Sequence, residues 1–100
     1  MISIFKYRLI GIQYSNILNI EMPRGAKILS IGEDPLKDLC IWAQIDTKEK
    51  MVNRKILCWG TGWPLEDALA EFPAAEFVGT VTDGPYMWHI FDTKIEEKIE

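Results

Sequence analysis

The segment LCIWAQIDTKEKMVNRKILCWG, residues 39–60, decides the fold class. Its two ends, residues 39–46 and 54–60, carry apolar side chains at both odd and even positions, and a polar loop (47–53) separates them. Because successive side chains of a strand point to opposite faces, apolar residues on both faces indicate central strands. The segment therefore predicts an antiparallel hairpin of two buried strands.

The chain on either side of this hairpin has the same period of two. A turn signal at Pro23 and Gly25 separates two strands, and DGP (83–85) separates two others. The further predicted strands are residues 4–9, 16–22, 26–31, 76–82 and 86–92. About six or seven short strands with frequent turns predict an all-β antiparallel sandwich or a partly open barrel.

One short helix is predicted near residues 64–72. Pro64 suits the first helical position, Glu66 and Asp67 follow in the first turn, and Pro73 ends the segment. We expect residues 1–92 to form a single β domain. The charged tail, residues 93–100, is expected either to fray in solvent or to form a short helix.

Composition narrows the function classes. The chain of 100 residues is 48% hydrophobic and has a net charge of −4, which argues against a general nucleic-acid binder because such proteins present a basic face. No run of about 18 apolar residues predicts a membrane span, and no signal peptide is visible. We therefore expect a cytoplasmic protein in which Cys40 and Cys58 are reduced and buried. Their places near the middle of consecutive strands leave open whether they are cross-strand neighbours.

The chemistry-bearing residues form no catalytic or metal-binding pattern. His89 is the one histidine, and neither it nor Cys58 is accompanied by a recognisable base or orienting carboxylate. Acidic residues occur at strand ends without the spacing of a metal site. We expect no catalysis, cofactor or metal, a histidine that is hydrogen-bonded within or beside the core, and outer-face positions for Arg54 and Lys55.

The stretch CWGTGWP, residues 58–64, is the strongest candidate for binding. Gly60 and Gly62 could direct backbone N–H groups at an anion while a tryptophan stacks on a base, although GTG is not a phosphate-loop motif. Trp63 follows a glycine outside any strand, so it either plugs the end of a sheet or contacts a partner. The candidate binding residues are Gly60, Thr61, Gly62, Trp63, Tyr86, Trp88 and His89.

Six blocks, taken in order, resemble a family of small uncharacterised proteins of tailed bacteriophages and prophages. They are FKYRL, IEMPRGAKILSI, LCIWAQID, GTGWPL, EFVGTV and WHIFD, between about residues 5 and 92. The family pattern reads M-P-x-G-A-K-I-L-S, G-T-G-x-P and F-x-G-T, and MPRGAKILS is its most specific block. The resemblance implies a mobile-element gene acting in the cytoplasm of a bacterial host, and it supplies no activity. Residues 66–75 and the tail depart from shorter members.

Three hypotheses follow. The first is a non-catalytic binding or accessory protein that contacts a protein partner and inhibits a host defence factor. The alternative is a protein that binds or sequesters a nucleotide through residues 60–63 and 86–88, and an enzyme of unknown class is the second alternative. An exposed edge strand could also pair two copies in a homodimer.

Overall fold

The computed structural model describes residues 1–99, which form seven β-strands and one short α-helix. This confirms the predicted all-β class. The elements in chain order are β1 Ile2–Arg8, β2 Ile17–Pro23, β3 Lys27–Glu33, β4 Leu39–Asp46, β5 Met51–Gly60, α1 Glu66–Glu71, β6 Glu76–Asp83 and β7 Tyr86–Lys98.

The strands form two antiparallel sheets. One sheet has three strands in the order β1-β4-β3, and the other has four in the order β2-β5-β7-β6. Their inner faces enclose the main core, to which the fully buried Met22, Ile41, Ile56 and Ile90 belong. Of the two predicted alternatives, a sandwich and a partly open barrel, the architecture is therefore the sandwich. The described strands form no closed barrel.

The predicted pairing of the two central strands is wrong. β4 pairs with β1 and β3, whereas β5 pairs with β2 and β7 in the other sheet. Both strands are central, as their apolar faces indicated: β4 is the middle strand of the three-stranded sheet, and β5 is one of the two inner strands of the four-stranded sheet. The predicted hairpin of β6 and β7 is confirmed.

The helix explains why β5 is apolar on both faces. Ile56 and Cys58 face the sandwich core, whereas Leu57 packs with Ala68 and Phe72 of the helical segment in a second, smaller core. Ala68 and Phe72 are four residues apart and therefore lie on one side of the helix. The helix is shorter than the predicted 64–72, because Pro64 and Leu65 precede its first turn.

The charged tail is a strand through Lys98, not a helix or a frayed end. The register between β5 and β7 shifts between Arg54 and Ile56, and Lys94, on the β7 side of this irregularity, has a φ of 68°. Beyond it, Glu96 lies opposite Arg54 and Glu97 lies opposite Asn53. The alternating charges suggested a helical face, but their partners lie across the sheet. Glu100, the last residue of the predicted tail, lies outside the described residues.

The two cysteines are free and buried, as expected, but they are not neighbours on paired strands. Cys40 lies opposite Arg8 and Gly32, while Cys58 lies opposite Ile90 in the other sheet. Their separation follows directly from the division of β4 and β5 between the two sheets. Over residues 1–99, no helix is long and apolar enough to cross a membrane.

Candidate functional site

Trp63 packs across the end of β5, directly over Gly60, where a side chain would require the Trp63 ring to move. A Cβ built on Gly60 would lie 2.6 Å from Cε2 of the Trp63 ring, closer than such contacts occur. The ring also meets Trp59 and Trp88 edge-on, with centroids 5.6 and 5.5 Å apart. Since Trp63 is still 43% exposed, it plugs the sheet end with one side and presents the other to solvent.

The neighbouring tryptophans support Trp63 from within. The indole N–H of Trp59 donates to the carbonyl of Pro64 at 3.1 Å, which ties β5 to the loop that carries Trp63. Trp88, one of the candidate residues, is only 7% exposed, and it lines the pocket beside Tyr86 while packing mainly in the core. Edge-to-face aromatic packing of this kind orders each ring by its neighbours.

Two shallow pockets lie on either side of Trp63. One, of about 360 Å³, is lined by residues that include Thr61, Tyr86 and Met87. The other, of about 230 Å³, is lined by residues that include Leu65 and Phe77. We call the exposed residues that frame them the aromatic surface: Trp63, Phe77, Tyr86 and Met87, which are 43, 56, 61 and 44% exposed.

Phe77 and Met87 were missed in the sequence because they alternate like ordinary sheet residues. Phe77 packs edge-on against Phe91 at a centroid distance of 5.5 Å, yet more than half of it faces solvent. A helix covers part of this outer face of the four-stranded sheet and leaves the remainder uncovered. Strand periodicity reports which face a residue is on, and it does not report where the covering helix ends.

His89 is held by two threonines. Its Nε2 lies 2.7 Å from Oγ1 of Thr61 and its Nδ1 lies 2.9 Å from Oγ1 of Thr80. Neutral imidazole donates from one nitrogen and accepts at the other, and a hydroxyl can satisfy either. Both ring nitrogens are therefore occupied by side chains of the protein, which agrees with a hydrogen-bonded histidine beside the core.

The loop from Gly60 to Pro64 is a tight turn. The N–H of Trp63 donates to the carbonyl of Gly60 at 3.3 Å, and Gly62 has a φ of 85°, which a residue with a side chain rarely adopts. Of the described residues that line the two pockets, none is lysine or arginine. The loop therefore turns the chain and positions Trp63, and the pocket walls carry no cation for a phosphate.

A second polar cluster lies further back along β5, at Arg54. This side chain is buried, contrary to the expected outer-face position. Its Nε donates to Oδ1 of Asp92 and its Nη1 donates to Oε2 of Glu96, both at 3.2 Å. The guanidinium also donates to the carbonyl of Ala26. Alternation along β5 places Arg54 on the inner face with Ile56, opposite Ile20 of β2.

The same cluster explains the MPRGA block. Gly25 has a φ of 77°, and its N–H donates to Oε2 of Glu96 at 3.0 Å, so the turn between β2 and β3 is bound to β7 as well as to Arg54. We call these groups, with Asp92 and the backbone of Ala26, the Arg54 network. The network therefore ties the turn between β2 and β3, where the chain passes from one sheet to the other, to β5 and β7.

Both cysteine thiols are buried. Burial raises the pKa of the Cys58 thiol to about 12, so the thiol is protonated at neutral pH. Burial also raises the pKa of Cys40. Within residues 1–99, no three histidine, cysteine or acidic side chains come together as a metal site.

Comparison with known proteins places the chain in a family. The model described as Domain of unknown function (DUF7352) matches residues 1–100. The chain belongs to the DUF7352 family. The matched region includes both the aromatic surface and the Arg54 network, and the family description names no activity. Searches of the curated proteins and of the solved structures returned no match.

Proposed function

We propose that this DUF7352 protein is a non-catalytic binding protein that contacts a protein partner through the aromatic surface. The observation that carries the proposal is the state of Trp63, which Gly60, Trp59 and Trp88 hold in place while 43% of it stays exposed. A large side chain that is already ordered loses little conformational freedom on binding. Exposed aromatic residues of this kind are typical binding hot spots.

The chemistry around the surface favours a protein over a phosphate-bearing ligand. The pockets are shallow, and most of the side chains that line them are apolar. The helix α1 and the β6–β7 hairpin carry acidic residues: Glu66, Asp67, Glu71 and Asp83. Complementary charges steer association and exclude wrong partners. The partner we propose has one or two apolar side chains that enter the pockets and a basic rim around them.

A nucleotide has less support from the same geometry. Phosphate groups are normally held by lysine, arginine or free backbone N–H groups, whereas the pocket linings contain no cationic side chain and the Trp63 N–H bonds to Gly60. Titration with mononucleotides and cyclic oligonucleotides while tryptophan fluorescence is recorded tests this alternative. Saturable quenching that Trp63→Phe abolishes would favour it over a protein partner.

The finer context of the proposal rests on the sequence resemblance. A phage-type protein that acts in the cytoplasm of a bacterial host meets host proteins there, and a defence factor is the partner that best fits a small binding protein without catalysis. This part is tested by infection: a phage restricted by a defence system should plate better when the host expresses the wild-type protein than when it expresses Tyr86→Ala.

The binding surface itself is tested by quantitative co-purification from a bacterial host. Tyr86→Ala should lower the yield of a stoichiometric partner at least about tenfold, as loss of a hot spot does, without changing the melting temperature. Met51→Ala is the matched control, because Met51 is 49% exposed and lies roughly 30 Å away at the other end of β5. Equal capture by both variants contradicts the proposal.

A further inference from the structure

The free edge of the three-stranded sheet offers a complete set of backbone hydrogen-bonding groups. β1 is the outer strand of this sheet. The N–H of Leu9 donates to Leu39 and the carbonyl of Met1 accepts from Thr47, so the odd-numbered residues of this segment direct their backbone groups at β4. Because these directions alternate in an antiparallel ladder, the even-numbered residues direct theirs outward.

β1 lacks the interruptions that protect the other edge strands. β3 has an irregular register between Ile28 and Ser30, and β6 has one between Phe77 and Gly79. β2 ends in Pro23. In contrast, β1 pairs with β4 in unbroken register over all seven of its residues. Bulges and prolines are the usual devices that prevent edge-to-edge pairing, and β1 has neither.

The side chains of β1 also favour pairing. Ile2 and Ile4 are 67 and 59% exposed, and Phe5 is 42% exposed. Charged residues normally guard an edge, but the Lys6 ammonium bonds to Asp34 at 2.7 Å and the Arg8 guanidinium lies 3.5 Å from Asp38. Each cationic side chain of the strand thus has an acidic partner within the chain.

We infer that a second copy of this chain pairs with β1 in antiparallel orientation, with the two-fold axis at Phe5. This register uses the whole strand: Ile4 faces the partner's Lys6, Ile2 faces the partner's Arg8, and the two Phe5 rings meet at the axis. It forms about eight backbone hydrogen bonds, two for each outward-facing pair. The two three-stranded sheets become one continuous sheet of six strands.

Neighbouring registers are poorer. An axis at Lys6 would place two ammonium groups directly opposite each other, which is destabilising in a sheet. An axis at Ile4 would leave Arg8 opposite no residue of the partner and would lose the backbone hydrogen bonds of that pair. The self-complementary pattern of one strand, with each cationic residue facing an isoleucine, is what favours a second copy over an unrelated strand.

Disulfide trapping tests the register. Residues that face each other at the two-fold axis form a non-hydrogen-bonded pair with Cα atoms about 4.5 Å apart, within the range of a disulfide. Phe5→Cys should therefore oxidise to a covalent dimer in high yield. Ser3→Cys is the control, because the two copies of that residue would be roughly 13 Å apart along the strands. The native thiols are buried and do not compete.

Sedimentation equilibrium tests the association itself. The wild-type protein should be dimeric at high micromolar concentration, and Ile4→Lys, which places like charges opposite each other, should raise the dissociation constant at least about tenfold. Leu36→Lys makes the same charge change at an 80% exposed residue outside β1 and should leave the dimer unchanged. A wild-type monomer at all concentrations, or equal trapping at residues 3 and 5, overturns the inference.

Discussion

Trp63 of the aromatic surface packs over the end of β5 at Gly60, and Arg54 lies six residues back along the same strand, roughly 20 Å away. In the network, each charged side chain has an opposite charge beside it, and Arg54 and Asp92 are 4 and 2% exposed. In the aromatic surface, the rings are ordered by one another but remain open to solvent. An ordered group with nothing left to bind is part of the scaffold, whereas an ordered group that stays exposed is a candidate for binding.

The largest effect is expected when the network is broken. Arg54→Met leaves the Asp92 carboxylate buried beside an apolar side chain and removes the donors to Ala26, so the free energy of unfolding should fall by about 3–5 kcal/mol. Urea denaturation measures this change.

Arg24→Met is the control for the network. Arg24 pairs with Glu49 at 2.9 Å, but its side chain is 61% exposed, so its loss should cost under about 1 kcal/mol. Similar small losses in both variants would mean that burial of the network does not stabilise the sandwich.

A smaller effect is expected at the boundary between scaffold and surface. Gly60→Ala places a methyl group against the Trp63 ring, which must move outward, and the cost should be about 1–3 kcal/mol. A change in tryptophan emission should accompany the loss of stability, because the ring moves relative to Trp59 and Trp88.

Gly32→Ala is the matched change for Gly60→Ala. Its new methyl group would lie 4.0 Å from Cζ3 of Trp42, an ordinary contact, and tryptophan emission should be unaltered. Identical behaviour of the two alanine variants would show that Gly60 does not determine the position of Trp63.

The smallest effect concerns a third, more local charge cluster and appears only in acid. The Lys6 ammonium holds the pKa of Asp34 below its ordinary value of 3.8, and the N–H groups of Asp38 and Leu36 act in the same direction. The folded protein therefore binds this proton less readily than the unfolded chain. The stability that Asp34 contributes is complete above its unfolded pKa and disappears as pH falls through the folded pKa.

Asp34→Asn should flatten this acid dependence. Thermal melts between neutral pH and about pH 2 should show a shallower decline below pH 4 for the variant than for the wild-type protein. Lys6→Met, which removes the other partner, should flatten the profile in the same way. A wild-type slope in both variants would assign the acid sensitivity to other carboxylates.

The fold was predictable to the extent that it depends on local pattern. Period two located all seven strands, and apolar residues on both faces identified β4 and β5 as central. The same pattern contains no information about which strands pair, because burial is identical whether two central strands share a sheet or divide between two. The division of β4 and β5 between the two sheets is what separates Cys40 from Cys58.

The sequence predicted the turn that carries Trp63, but it did not predict how far the candidate site extends. The glycines around Thr61 indicated a loop, and Trp63 was expected either to plug the sheet or to face a partner, whereas the structure combines both positions. Arg54 was expected on the outer face because charge is usually solvated. Alternation with Ile56 and Cys58 already placed Arg54 on the inner face, but its charged partners Asp92 and Glu96 are distant in sequence and could not be identified from the local pattern.

Site-specific photo-crosslinking in a bacterial host tests the central claim. The claim is that the aromatic surface binds a protein, whereas the part of β5 from Met51 to Arg54 is scaffold. A benzophenone amino acid at position 86 should give one dominant heterologous adduct, and the same residue at position 51 should give none. Adducts at position 51 that match those at 86, or no adduct at position 86 although the protein is folded and expressed, would contradict the account.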